Sequence, residues 1–327
     1  MIAPLAKFID WSAIQALTLL ELNNSGQNPR LEEALQFLKG PDFIPAESRP
    51  AQFEFGPDES GRSFRFPTPR PGEFPENNVV YGRLYRCAGR WRDRPVIVLL
   101  PGRLDYFNHW FKFPLIARRC IRAGFNAATL VLPFQFQRRP RRLAALRGPD
   151  YLRMAEITAQ AVAEIRALTG WLLGKGCPAV ALWGISYGAW LSGLTVCREA
   201  RLAAAVLTIP GVRANPAIGE LVFWRRIRKT LQGRRAAWEA LNLTAYNLAT
   251  SRPVIPSEKI LLIDAIQDLF APGYTGELWQ AWGRPDLWRL PHGHISITCM
   301  TAPGMTDRVL HWLAPRLNRP AIQTGQT

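Results

Sequence analysis

Short, wholly apolar runs alternate along this chain with longer stretches of mixed polarity. Residues 95–100 read Pro-Val-Ile-Val-Leu-Leu and stop at Pro101-Gly102. A continuous apolar run of this length, bounded by turn residues, fits a strand covered on both faces. Similar runs lie at 127–132, 179–183, 202–209, 259–264 and 287–290. Helices are expected between them at about 113–123, 151–174 and 187–199, and a last one at about 306–317, with Asp150 well placed to cap the second. Strands that alternate with helices imply right-handed β-α-β units. The expected fold class is therefore α/β, a mostly parallel central sheet with helices on both faces.

The flanks break this rhythm. Residues 1 to about 50 read as helical, with an amphipathic helix from near 11 to 22 and breaks at Pro29 and Gly40-Pro41. Residues 51–80 are rich in Pro and Gly and carry short alternating pieces, Phe53-Glu54-Phe55 and Phe64-Arg65-Phe66, which suit edge strands or hairpins; 79–86 reads as another short strand. Residues 211–255 hold no strand pattern and are rich in Trp, Arg and Leu, as a helical lid insert would be. The expected organisation is an N-terminal segment (1–80), a catalytic domain in two pieces (81–210 and 256–320) and the insert (211–255). The last eight residues are expected to fray.

One motif gives this layout a chemistry. Gly184-Ile185-Ser186-Tyr187-Gly188 fits G-x-S-x-G between an apolar strand and a helical run. In that setting the serine sits on a strained strand-to-helix turn, where side chains at the glycine positions would strike neighbouring backbone. The following helix turns its free N–H groups and positive dipole end toward the reacting oxygen. The bland alternative is a Gly-rich turn with a surface serine. With the motif in place, the stretch from about 95 to 317 resembles the α/β-hydrolase superfamily. Within it, Leu132-Pro133-Phe134-Gln135-Phe136-Gln137-Arg138-Arg139-Pro140 is similar to the branch of abhydrolase-domain-containing protein 18.

The resemblance implies a Ser, Asp, His chain order for the triad. It carries the base onto His294 in Pro291-His292-Gly293-His294-Ile295, with His292 as the alternative, and the acid onto Asp268, a few residues past the strand at 259–264, with Asp264 as the alternative. His109 could line the pocket or simply pack, and His311 reads as structural. The oxyanion donors it implies are the backbone N–H groups of Tyr187 and of Arg103, or Leu104 beside it. Many family members have His-Gly where this chain has Pro101-Gly102. The implied activity is ester hydrolysis through an acyl-enzyme, with no cofactor and no metal. The same machinery could serve an acyltransferase or a peptidase, and a peripheral membrane-binding protein on a hydrolase fold is the non-catalytic alternative.

Charge widens the list of partners. The chain has 41 Lys+Arg against 25 Asp+Glu, a formal +16, which attracts anionic surfaces or substrates unless it reflects only an arginine-biased genome. Arg138, Arg139, Arg141 and Arg142 follow a strand and could meet a substrate anion, or form a solvated loop. Arg225, Arg226, Arg228, Lys229, Arg234 and Arg235 interleave with Phe223, Trp224, Ile227, Leu231 and Trp238. That is the composition of an interfacial helix on an anionic membrane, or of a lid whose apolar stripe covers the site. The partner expected is a small-molecule or lipid ester; nothing else in the chain resembles a nucleic-acid-binding module. Five widely spaced cysteines without a C-x-x-C pair suggest buried thiols in a reducing compartment. No secretory signal or membrane-spanning run of about 18 apolar residues is read. The expected location is cytoplasmic, peripheral to a membrane if the basic insert binds one.

Overall fold

The computed structural model describes residues 3–21, 30–44, 52–55, 62–103, 105, 108–140, 150–213, 215, 217–299 and 303–318. Leu104, Arg141, Arg142 and the terminal residues expected to fray lie outside them. Among the described residues, nine strands form one sheet: β1 (Glu54–Phe55), β2 (Ser63–Pro67), β3 (Val79–Tyr85), β4 (Val96–Leu100), β5 (Asn126–Leu130), β6 (Val180–Ile185), β7 (Ala204–Thr208), β8 (Ile260–Ala265) and β9 (Asp286–Leu290). Their order is β1-β2-β3-β5-β4-β6-β7-β8-β9. The run from β5 to β9 is parallel, while β1, β2 and β3 add an antiparallel edge to β5. The fold class is α/β, as the apolar runs imply, and its architecture is the α/β-hydrolase one that the resemblance implies.

Strand periodicity explains why these runs are apolar throughout. In β4, Val96, Val98 and Leu100 face one core and Ile97 and Leu99 the other, all with no exposed surface. The first core is closed by α2 (Leu31–Lys39), α4 (Tyr151–Gly174) and α5 (Tyr187–Val196), and the second by α3 (Phe113–Arg122) and α10 (Pro303–Leu317). Asp150 caps α4 as expected, its carboxylate accepting from Arg153 N. Trimming any of these strand leucines to alanine removes about 2–5 kcal/mol of stability.

The first helix, α1 (Ala3–Glu21), starts well before residue 11, where the sequence reading began it, with Pro4 in its first turn, a position that needs no N–H. The segment between β7 and β8 is helical in short pieces, among them α6 (Arg225–Gly233) and α7 (Arg235–Leu241). Ile14 of α1 packs with Val222 and Leu231 of that segment in a small core of its own. Trp11 Nε1 and Gln15 Nε2 both donate to Leu221 O, and Phe223 N donates to Gln15 Oε1. The N-terminal helix thus holds the insert. Among the described residues, no helix is long and apolar enough to cross a membrane.

Candidate active site

Parallel strands bring their C-terminal ends to one edge of the sheet, where α/β proteins build their sites. Ser186 directly follows β6 there, with φ 53° and ψ −115°, a conformation a non-glycine residue holds only under constraint. Its N–H donates to Thr208 O at 2.9 Å, and its carbonyl accepts from Trp190 N at 3.0 Å. The flanking glycines allow the bend. A Cβ on Gly184 would stand 2.5 Å from Ala189 N and nearer still to Gly188 O. One on Gly188 would stand 2.6 Å from Pro101 O and nearer still to Leu100 O. The turn is therefore wedged between its own helix and the end of β4.

Ser186 Oγ lies 2.8 Å from His294 Nε2, and His294 Nδ1 lies 2.7 Å from Asp268 Oδ2. His294 is the first residue of α9 (His294–Cys299), a short helix after β9 absent from the sequence expectation. Asp268 sits on the turn after β8, and its Oδ1 accepts from Phe270 N at 2.7 Å and Ala271 N at 3.0 Å. Burial pushes the Asp268 carboxyl up, but the His294 charge and hydrogen bond, with the two amides, hold it below the usual carboxylate range. Burial pulls His294 down, and the charge and hydrogen bond of Asp268, with the charge of Asp10, carry it above the ordinary histidine value. The pair therefore keeps Nδ1–H on Asp268 and leaves Nε2 to accept from the serine. Phe270 covers the imidazole at 4.8 Å between ring centres.

The alternatives lie apart from this line. His292 is half-buried, with Nδ1 3.4 Å from Ser296 Oγ. Asp264 stays on β8, 3.8 Å from Arg289. His311 is exposed on α10. Tyr187 opens α5, where an N–H has no carbonyl of its own helix to reach. Gly102 faces Ser186: a Cβ there would stand 3.7 Å from Ser186 Cβ. Arg103 follows it, and its charge acts on the hydroxyls of Tyr187 and Tyr246.

The expectation that Arg138 meets a substrate anion is corrected. Its guanidinium has no exposed surface and makes a double hydrogen bond to Glu164, at 2.6 and 2.7 Å, plus bonds to Val131 O and Asn77 O. A buried arginine so committed ties the β5 loop to α4 and has no fork left for a ligand. Arg139 is exposed beside it. His109 lies on a π-helical turn (Asn108–Lys112), 6% exposed, packed on Phe136 at 4.6 Å and on Trp110 at 5.1 Å. Burial and the Arg83 charge push it down to about 4, so its ring stays neutral. Within the insert, Arg234 is buried, Arg228 closes on Val222 O, and Arg235 pairs with Glu239 and Glu220. Arg225 and Lys229 are exposed near the exposed Phe223 and Trp224, and the side chains of Arg226 and Ile227 lie outside what the structure describes.

Sequence reasoning missed Asp10. It lies in α1 with no exposed surface, and its carboxylate accepts from the backbone of both the acid and base loops. The available signal was a lone acid on an apolar helical stripe, between Ala6 and Ile14. Among the described residues, no group of three or more His, Cys, Asp or Glu side chains could hold a metal ion.

The model of the family described as "Alpha/beta hydrolase domain containing 18" matches residues 63–228. Uncharacterized proteins of two Mycobacterium tuberculosis strains, H37Rv and CDC 1551, are each 27% identical over 248 residues, which is 69% of this chain and 57% of theirs. The chain thus spans little more than half the length of these relatives. In overall shape it is similar to acetyl xylan esterase 1 from Thermoanaerobacterium, with TM-score 0.55, 14% identity and coverage of 90% of this chain and 96% of that one. A putative dienelactone hydrolase from Klebsiella pneumoniae has TM-score 0.51 and 14% identity, covering 79% and 98%. At such identities the likeness is one of fold.

Proposed function

Because the chain belongs to the family described as alpha/beta hydrolase domain containing 18, we propose that it is a serine hydrolase that cleaves a carboxylic ester through an acyl-enzyme on Ser186. The observation that carries this reading is the continuous line from Ser186 through His294 to Asp268, with contacts of 2.8 and 2.7 Å. Ser186 Oγ attacks the acyl carbonyl carbon as His294 Nε2 takes the hydroxyl proton. Asp268 stays ionised, holds the Nδ1–H tautomer and stabilises the imidazolium that forms. The backbone N–H groups of Tyr187 and Arg103 meet the negative oxygen of the tetrahedral intermediate. Its collapse breaks the ester C–O bond, and His294 protonates the departing alcohol. Water, deprotonated by the same imidazole, then releases the acid and restores the serine.

The test is hydrolysis of an activated aryl ester by wild type and Ser186→Ala. A burst of about one phenolate per protein molecule, absent from the variant, is expected of an acyl-enzyme. A Ser186→Ala protein as fast as wild type overturns the reading. A competing alcohol separates the acceptors: an ester product in place of free acid marks an acyltransferase.

One observation bears on where the ester is met. Phe223 is 71% exposed and Trp224 37%, on the turn into α6 and close to the exposed Arg225 and Lys229. Apolar side chains in water beside cations fit the boundary of an anionic bilayer. The substrate class this favours is an acyl lipid or another anionic ester, with residues 211–255 as the lid. Sedimentation with phosphatidylserine vesicles, but not phosphatidylcholine vesicles, is expected, and Phe223→Ser/Trp224→Ser should abolish it. Equal recovery with both vesicle types, or with the double variant, removes the lipid surface and leaves a small-molecule ester.

A further inference from the structure

Among its described side chains, α1 presents one charged group, Asp10, to the interior. Ala6, Asp10 and Ile14 share a helical face, and none of the three has exposed surface. A buried carboxylate costs stability unless its oxygens are met. Among the described residues they are met by backbone N–H groups, and at a particular place. Asp10 Oδ2 accepts from His294 N at 2.7 Å and from Leu269 N at 3.2 Å; Oδ1 accepts from Ile295 N at 2.9 Å. His294 and Ile295 belong to the loop that bears the base, and Leu269 directly follows the acid, Asp268. One carboxylate thus bridges the two loops whose side chains must meet. The glycine between the two histidines makes room for it: a Cβ on Gly293 would stand 2.8 Å from both Asp10 oxygens.

We propose that Asp10 is a positioning residue of the active site, clamping the Asp268 and His294 loops in register and setting its negative charge behind the imidazole. The proposal rests on the triad reading above. It makes α1 part of the catalytic apparatus, although α1 lies far from the triad in sequence and outside the 63–228 matched by the family model. The physical case is geometric. Asp268 and His294 stand on separate loops after β8 and β9, and their 2.7 Å contact depends on how those loops sit. Misplacing a catalytic group by about 1 Å can cost about 100-fold. Among the described residues, the charges that act on the imidazole are those of Asp268 from the β8 turn and Asp10 from α1, and the half-buried His292 stands two positions before it on the same loop. Burial, with the charge of Asp268, holds the Asp10 carboxyl above the usual carboxylate range although the amides of Ile295, His294 and Leu269 pull the other way, and the charge it carries when ionised favours protonated His294.

The test uses the full chain with Asp10→Asn, Asp10→Glu and Ser186→Ala. The rate of labelling by a fluorophosphonate is followed against pH, and the His294 ring is titrated by NMR. With only four histidines, assignment by substitution is direct. Asp10→Asn keeps the volume but turns an amide NH2 toward backbone N–H donors. The expected result is a plateau labelling rate lower by about 10-fold or more, together with a His294 titration moved to lower pH. Asp10→Glu, which keeps the charge, should keep the His294 titration near that of wild type. Asp10→Asn that merely unfolds at lower urea, with labelling rate and titration unchanged, overturns the proposal and leaves Asp10 a structural cap. If Asp10→Asn fails to fold, Gly293→Ala presses a methyl on the same carboxylate, and an unchanged labelling rate there overturns the proposal as well. Ser186→Ala separates the two failures. If it still labels, the triad reading falls and the clamp with it; if it does not label and Asp10→Asn behaves as wild type, only the clamp falls.

Discussion

Replacing Gly188 by alanine tests the packing that aims Ser186, the proposed nucleophile. The added Cβ would stand 2.6 Å from Pro101 O and nearer to Leu100 O, against backbone at the end of β4. Neither partner is a side chain that can swing away, so the start of α5 and the end of β4 must part by roughly half an ångström or more. Overpacking of this kind costs about 1–3 kcal/mol of stability. The same displacement separates Ser186 from Gly102 and the amide after it, where the oxyanion is proposed to bind. By the steep dependence of catalysis on position, ester hydrolysis should fall by about 10-fold to 100-fold. Gly174, the last residue of α4, serves as the control: outside its chain neighbours and its own helix backbone, none of the described atoms lies within 4 Å of its added Cβ. Gly174→Ala should leave activity intact and hold or raise stability by up to about 1 kcal/mol. Urea denaturation reads the stability and aryl-ester turnover the activity. If Gly188→Ala matches wild type in both, the tight contact between α5 and β4 is refuted.

Arg138→Met strands the buried Glu164 carboxylate and should cost about 3–5 kcal/mol in urea unfolding. Adding Glu164→Gln should restore part of that, and a double variant no more stable than the single one contradicts the buried pair. The His109 ring is pushed down to about 4 by burial and Arg83, whereas an unfolded histidine titrates near about 6.5. Between those values the unfolded chain binds more protons, so this group makes stability rise with pH across that window. His109→Phe should flatten the rise in thermal midpoint between about pH 4 and 6.5, and an unchanged slope rules out His109 as its source.

Much of this was legible because strand burial leaves a plain trace. β4, β6, β7 and β8 appear as apolar runs because both faces of the sheet are covered. The nucleophile turn was legible because its glycines answer local clashes, which spacing alone reveals. The two histidines near β9 look alike in residue type; the resemblance put His294 before His292, and the fold sends His294 to Ser186 and His292 toward Ser296. Arg138 misled because an arginine after a strand reads the same whether it faces solvent or a buried glutamate on α4. Asp10 escaped for the opposite reason. Its partners are backbone amides more than 250 positions away, which leave no residue-type signature.

The central claim is that Ser186 is a nucleophile activated by His294. Labelling with a fluorophosphonate, followed by mass spectrometry of the modified peptide in wild type, Ser186→Ala and His294→Ala, tests it most directly. The account predicts a phosphonyl group on Ser186 with loss of fluoride, absent from Ser186→Ala and nearly absent from His294→Ala. A folded wild-type protein that stays unlabelled, or that labels at another residue, would contradict it and bring the non-catalytic membrane-binding alternative forward.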